Sequence, residues 1–453
     1  MKSISLLIIA ALCVGAFAPQ PAAAQEGRGA AVTPMKAEAF TTRYVRIGND
    51  AEGLVFEPKT LGPKSRIALV FSHTNRDTFD QPYGPELANR GYRVLAINYR
   101  GDRDAGEGPP EHYLPSVSRG IAYMRSLPGV QRVIVGGHSG GVHLGTLYDN
   151  VAEHGPAACK GPEKIFPCED RGLAGLEKPD GLLLLDGTIG SGHQMSAVDP
   201  AAKPTGRDAG LDMFNPANGY DLKARSARYS PEFAKRFYAE QAARNKTIVD
   251  AALARMKLIE AGKGQFSNDE PFVVPGLGVR AAGTRLYQAD VSVNSRTKKP
   301  HVLLRADGTD VEAVLESVRP PIGQNVLDQI DALNVLNTLT TVRQFLAANA
   351  IRTTADYAFT TDDIVGVDWA SSYNSTPGNA PGITVPTLVL AVTCHYLVVP
   401  NEILFDRLAS KDKTYAAVEG ATHDFAPCKP EYGNTLKRTY DYVDQWLSKE
   451  GRF

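Results

Sequence analysis

The chain carries almost no net charge. Its 49 lysines and arginines face 50 aspartates and glutamates over 453 residues, a formal balance of −1. Nothing in that balance suits a polyanionic partner, so no nucleic acid binding is expected. Beyond the N-terminus, no apolar stretch is long enough to span a bilayer. The cysteines and histidines lack C-x-x-C or H-x-x-x-H spacing, so no metal is expected; no cofactor is expected either. No segment repeats at a fixed period. What remains is an ordinary globular composition, 43% hydrophobic and 22% charged. The length suits two or three average domains, or one large domain with an insertion.

The N-terminus differs in kind. Lys2 precedes the apolar run "ISLLIIAALCVGAFA", and "PAAAQEG" follows with small residues at Ala22 and Ala24. This is the pattern of a signal peptide over residues 1–24, cleaved after Ala24, with Ala18 as the alternative site. Leu12 before Cys13 argues against lipoprotein processing, which needs a small residue there. The expected product is exported, periplasmic or extracellular, with no integral membrane span after cleavage. Cys13 leaves with the signal, and Cys159, Cys168, Cys394 and Cys428 remain. An exported chain with an even number of cysteines points to disulfides. Three pairings are possible; the local one, Cys159 with Cys168, is preferred, leaving Cys394 with Cys428.

Residues 25–42 are Ala-rich and polar, a flexible N-terminal segment. A rhythm of strands and helices follows. "RIALVFSH", "YRVLAINYRG", "RVIVGGHS" and "PDGLLLLDG" are solid apolar runs, the mark of strands buried on both faces. Helical stretches such as "QPYGPELANRG" and "HYLPSVSRGIAYMRSL" separate them. Such alternation predicts an α/β, doubly wound and mostly parallel sheet with helices on both faces. The rhythm breaks near Thr188 and returns at "VPTLVLAVT". Between lie "PEFAKRFYAEQAARNKTIVDAALARMKLIEAG" and "GQNVLDQIDALNVLNTLTTVRQFLAANA", read as helices, and "TRLYQADVSV" with "KPHVLLRADG", read as a strand pair. Residues 43–189 and 384–453 thus form a core of roughly 230 residues, and 190–383 a large, mainly helical cap insertion.

Chemistry concentrates at "VIVGGHSGGVHLG". Gly137-His138-Ser139-Gly140-Gly141 fits G-x-S-x-G between a buried strand and a helix, the context of a nucleophile elbow. Alone the pattern is weak; in this position it makes Ser139 a candidate nucleophile rather than an accidental turn. On these residues, and on the order of elements over about 43–189 and 384–450, the chain resembles the α/β-hydrolase superfamily. The resemblance implies a serine hydrolase, esterase- or lipase-like, with an oxyanion hole from the Gly140 N–H and a second N–H after the third strand. Here that strand ends in "FSHTNRD": His73 matches, Thr74 stands where glycine is usual, and Asn75 is the assigned donor, with Thr74 close behind. His73 itself is expected to brace the loop.

A serine hydroxyl needs a base, and the resemblance places a histidine just beyond the last strand. Of the nine histidines, His423 in "YAAVEGATHDFAP" has that position. The acid is harder. The usual place, after the seventh strand, holds His395 in "PTLVLAVTCHYLVVP", and an imidazole cannot supply a compensating negative charge. Asp186, directly after four leucines, is the preferred acid, although a helix cap or turn aspartate would also explain it. Glu402 is the alternative, and a Ser-His dyad the third. A Cys394–Cys428 bridge would tie the His423 loop to the loop of His395.

The expected activity is hydrolysis of a small-molecule carboxylic ester through an acyl-enzyme on Ser139. An amidase or peptidase on the same site, or a catalytically inactive binding protein of the same fold, are the alternatives.

Overall fold

The computed structural model describes residues 39–99, 108–203, 206–277, 285–321 and 337–453. The expected signal peptide and most of the loose segment lie outside these residues. The core begins slightly earlier than expected, because the first strand starts at Phe40.

Ten strands form the main sheet. In chain order they are β1 (Phe40–Arg46), β2 (Ala51–Pro58), β3 (Ile67–Ser72), β4 (Arg93–Tyr99), β5 (Arg132–His138), β6 (Gly181–Leu185), β7 (Arg296–Leu304), β8 (Asp310–Glu316), β9 (Thr387–Val392) and β10 (Lys413–Val418). Their spatial order is β1-β2-β4-β3-β5-β6-β9-β10-β7-β8. β1 and β2 enter antiparallel, and everything from β4 to β7 in that order is parallel.

The period of two in the buried strands decides which helix covers which face. Val133, Val135, Leu182 and Leu184 pack with Val117 and Ile121 of α2 (Leu114–Ser126) and Leu144 and Leu147 of α3 (Gly140–His154). Ile134, Leu183 and Leu185 point the other way, into a cluster with Leu87 of α1 (Tyr83–Asn89). The C-terminal helix (Thr435–Leu447) adds Tyr440, Val443 and Trp446 to that second cluster. Strands buried on both faces have no polar side to spare, which is why they read as continuous apolar runs.

The segment expected as a mainly helical insertion is mixed. Pro231–Glu260 is one long helix, with Ser230 capping the Phe233 N–H and proline in its first turn. Of the helical stretch expected over 323–350, residues 323–336 lie outside the described residues; Asn337–Thr341 is a strand, and Val342–Ala348 is helical. The expected strand pair is corrected. Leu286–Ala289 is a helical turn, and β7 pairs instead with β8 across the Asp307-Gly308 turn, where Gly308 has φ +87°. β7 also lies parallel to β10, Val302 facing Ala416, so this hairpin extends the central sheet rather than a cap. No helix among the described residues is long and apolar enough to cross a membrane.

One buried charge stands apart. Asp149 of α3 is fully buried, and neither carboxylate oxygen has a hydrogen-bond partner. Burial pushes its carboxyl up to about 8, with Glu153 adding to the rise and Lys178 opposing it. The folded protein therefore holds a proton that the unfolded chain releases above its ordinary pKa of 3.8. Stability is fully present at acid pH and falls as pH rises from there through the folded value. Asp149→Asn should remove this loss, which is at most about 1.4 kcal/mol per pH unit. Urea unfolding at pH 5 and pH 8 should show a smaller drop for the variant than for the native chain.

Candidate active site

β5 runs into α3 with a single residue between them, Ser139, at φ 55° and ψ −120°. A non-glycine residue held there is strained. The frame that holds it is backbone. The Ser139 N–H donates to Leu185 O at 3.1 Å, and its carbonyl accepts from Thr188 N–H and Val142 N–H, both at 3.2 Å. Close approach explains two of the glycines. A Cβ on Gly137 would lie 2.3 Å from Gly141 O, and one on Gly141 would lie 2.5 Å from Ser72 O. Ser139 is half-buried at the start of α3. The first N–H groups of a helix have no intrahelical acceptor, so the turn presents a donor, the Gly140 N–H, beside the serine.

Asp186 follows β6 directly, at φ 42° and with no solvent exposure. Its N–H donates to Leu390 O on β9 at 2.6 Å. The carboxylate Oδ2 accepts two imidazole N–H groups: His423 Nδ1 at 2.6 Å and His395 Nδ1 at 2.7 Å. Oδ1 has only a long contact, 3.4 Å, with Val392 N–H. Burial alone would raise the Asp186 carboxyl, but His395 and His423 outweigh it and hold the group well below the usual carboxylate range. Donation from Nδ1 fixes the tautomer of each neutral ring and leaves Nε2 as the acceptor.

Ser139 and the Asp186–His423 pair are tied on both sides of the serine. Leu185, which accepts the Ser139 N–H, precedes Asp186. His138, which precedes Ser139, donates from Nε2 to His423 O at 2.8 Å, and their rings lie 4.5 Å apart. Burial keeps the His138 and His73 imidazoles neutral. His143 bonds through Nδ1 to Asn374 Oδ1 at 2.7 Å.

Both disulfides are present, with Cα separations of 5.5 Å for Cys159–Cys168 and 6.3 Å for Cys394–Cys428. The second closes 34 residues and joins the loop of His395 to the loop of His423. In a chain-entropy account a loop of that size stabilises by about 4 kcal/mol.

Two expectations change. Glu402, the alternative acid, sits on the helix Val398–Arg407 and is spent elsewhere. Its oxygens accept from Lys298 N–H, Lys299 N–H and His301 Nε2 at 2.8, 3.0 and 2.8 Å, clamping that helix to β7. Asn75, the assigned oxyanion donor, turns its N–H to His73 Nδ1 at 3.2 Å, and the Arg76 N–H does the same at 3.1 Å. His73 therefore braces the loop as a double acceptor, with its proton on Nε2.

Asp186, His395 and His423 are also the one group of described residues whose potential ligand atoms cluster as a metal site would, all within 4.8 Å. The separations of 2.6 and 2.7 Å are those of N–H···O hydrogen bonds. Two ligands of one zinc ion lie about 3.3 Å apart at ordinary bond lengths, so the cluster is built around protons.

No family model matches the chain, and no curated protein does. Solved structures align along most of its length at low identity. Brefeldin A esterase, described as a bacterial homologue of human hormone sensitive lipase, is 13% identical; the match covers 90% of this chain and 76% of that one, with a TM-score of 0.40. Siderophore hydrolase EstB from Aspergillus fumigatus is 10% identical over 91% of this chain and 98% of its own, with a TM-score of 0.43. Proline iminopeptidase of Mycobacterium smegmatis is 15% identical over 90% and 97%, with a TM-score of 0.36. The mostly parallel sheet covered on both faces, with Ser139 at the turn from β5 to α3, gives this chain the α/β-hydrolase fold.

Proposed function

We propose that the chain is a serine hydrolase that cleaves a carboxylic ester by acyl transfer. The observation that carries the proposal is the Asp186–His423 hydrogen bond, set beside the strained turn of Ser139. In this reading His423 Nε2 takes the Ser139 hydroxyl proton as Oγ attacks the ester carbonyl. The oxyanion is received by the Gly140 N–H and by the Thr74 N–H, since the Asn75 N–H is turned to His73. His423 then protonates the leaving alcohol, and the acyl group stays on Oγ. Water, deprotonated by the same imidazole, attacks the acyl carbonyl and releases the acid. Asp186 keeps the ring in its working tautomer and offsets the charge of the imidazolium.

Asp186 offers His423 the negative charge that a histidine at 395 could not supply, which supports an active enzyme over an inactive binding protein. Ester is preferred to amide by frequency within the fold alone, so the substrate comparison must decide. The signal pattern and the two bridges support export to an oxidising compartment. Of the segment 190–383, the part outside the β7–β8 hairpin is the proposed cap. Its buried aromatic cluster includes Tyr287, which lies 5.2 Å from Tyr396, the neighbour of His395. In this reading the aromatic residues of the cap shape the pocket for a bulky acyl or alcohol group.

Ser139→Ala should lose on the order of 10⁶ in kcat, and all fluorophosphonate labelling, with an unchanged circular dichroism spectrum. Residual activity near that of the native protein would identify another nucleophile. p-Nitrophenyl esters of rising chain length should be cleaved far faster than the matching anilides; the reverse order would make the protein an amidase.

Asp186→Asn should keep the geometry, favour the wrong tautomer and lower kcat by about 10⁴. Glu402→Gln should lower the melting temperature and leave kcat within about threefold, since its partners lie on β7. Steady-state kinetics and thermal melts of both variants check the pair.

A further inference from the structure

His395 stands where the fold ordinarily carries the acid, and it donates to the acid instead. Both imidazoles use Nδ1, both reach the same oxygen, and their rings lie 4.5 Å apart at 31°. Without His395, Asp186 would keep one short side-chain hydrogen bond and one long backbone contact. A carboxylate so held turns more freely about its terminal torsion. His395 is itself well fixed. Its carbonyl accepts the Ser317 hydroxyl at 2.7 Å, its neighbour Cys394 is bridged to Cys428, and the Tyr396 ring lies 4.1 Å away.

We infer that His395 is a positioning residue for the Asp186–His423 pair: its Nδ1–H fixes the shared oxygen and moderates that oxygen's hold on the His423 imidazolium. The inference rests on the reading of Ser139, His423 and Asp186 as the reacting set.

The charges around both rings give the sign. His395 faces Asp186, His423, the Arg319 guanidinium and His193. Burial lowers its own pKa, His423 and Arg319 add to that, and the opposing pull of Asp186 does not offset them, so it stays a neutral donor. His423 faces Asp186, His395, His138 and His73, and also Asp424, which is paired with Arg76 at 3.1 Å. When His423 takes the serine proton, Asp186 stabilises the cation. The His395 N–H draws on the same lone-pair density and reduces that stabilisation. Removing the donor strengthens the hold of Asp186 and favours protonated His423. The acid limb of the pH–rate profile, where His423 must be neutral to act, then moves to higher pH.

The test compares His395→Phe, which keeps a ring of similar size, with His395→Asn, whose amide nitrogen replaces Nδ1. The variants are made in the full mature chain and checked for folding by circular dichroism. Two readouts are used: the pH dependence of kcat and KM on a p-nitrophenyl ester, and the His423 Cε1–H titration by NMR. His395→Phe should raise both the acid limb and the His423 titration by about one pH unit. It should also lower kcat at the plateau by about tenfold, with KM unchanged, because the carboxylate is less well aimed. His395→Asn should return both midpoints toward those of the native protein. Midpoints unmoved in His395→Phe, or His395→Asn behaving like His395→Phe, would overturn the inference and leave His395 a packing residue. If His395→Phe does not fold, His395→Gln, whose amide sits one bond too far for the Oδ2 contact, takes its place. Failure of the catalytic reading is visible separately, as native protein that no fluorophosphonate labels at Ser139; the NMR titration then decides the role of His395 alone.

Discussion

A single oxygen atom organises the candidate site. Asp186 Oδ2 is fully buried and accepts from two imidazoles on two different loops. A lone carboxylate in that environment would be forced to neutralise, because burial disfavours its charged form. The two N–H groups reverse that balance. The sheet delivers each partner: β6 leads directly into Asp186, β9 leads to His395 and β10 to His423. These three strands are neighbours and parallel, so their C-terminal ends open on one edge. The Cys394–Cys428 bridge then joins the last two loops covalently.

Much of this could be read from the chain, and the reasons are physical. Strands buried on both faces leave continuous apolar runs, so the core sheet was legible from β3 to β6 and again at β9. Ser139 was legible because a strained turn demands glycines at particular offsets. Asp186 was legible because a carboxylate after four leucines must find a partner or lose its charge. Other features left no such trace. Nothing local in "CHY" tells that His395 donates to a residue 209 positions earlier. The turn of the Asn75 N–H toward His73 depends on backbone torsions that no residue type there dictates.

The β7–β8 hairpin differs from the strand pair expected from the sequence, for a physical reason. "KPHVLLRADG" forms a strand as expected, but its partner lies downstream and not in "TRLYQADVSV". The Asp-Gly pair at 307–308 is a strong hairpin signal and pointed downstream. Asp310, Glu312 and Glu316 obscured the second strand, since three acidic residues in seven look like loop. They alternate with Val311 and Ala313, half-buried positions on the opposite face, which is the period of a strand at the margin of a sheet.

That hairpin has a consequence for solubility. A parallel sheet ending at β10 would expose a bare row of backbone donors and acceptors, which another copy of the chain could extend. β7 covers the C-terminal half of that row, from Ala416 to Val418, and the antiparallel return of β8 becomes the new margin there. The new margin is acidic: the outward positions of β8 carry Asp310, Glu312 and Glu316 around one valine. Two such margins brought together would set carboxylate against carboxylate. The acidic residues of that margin therefore disfavour growth of the sheet through a second copy of the chain.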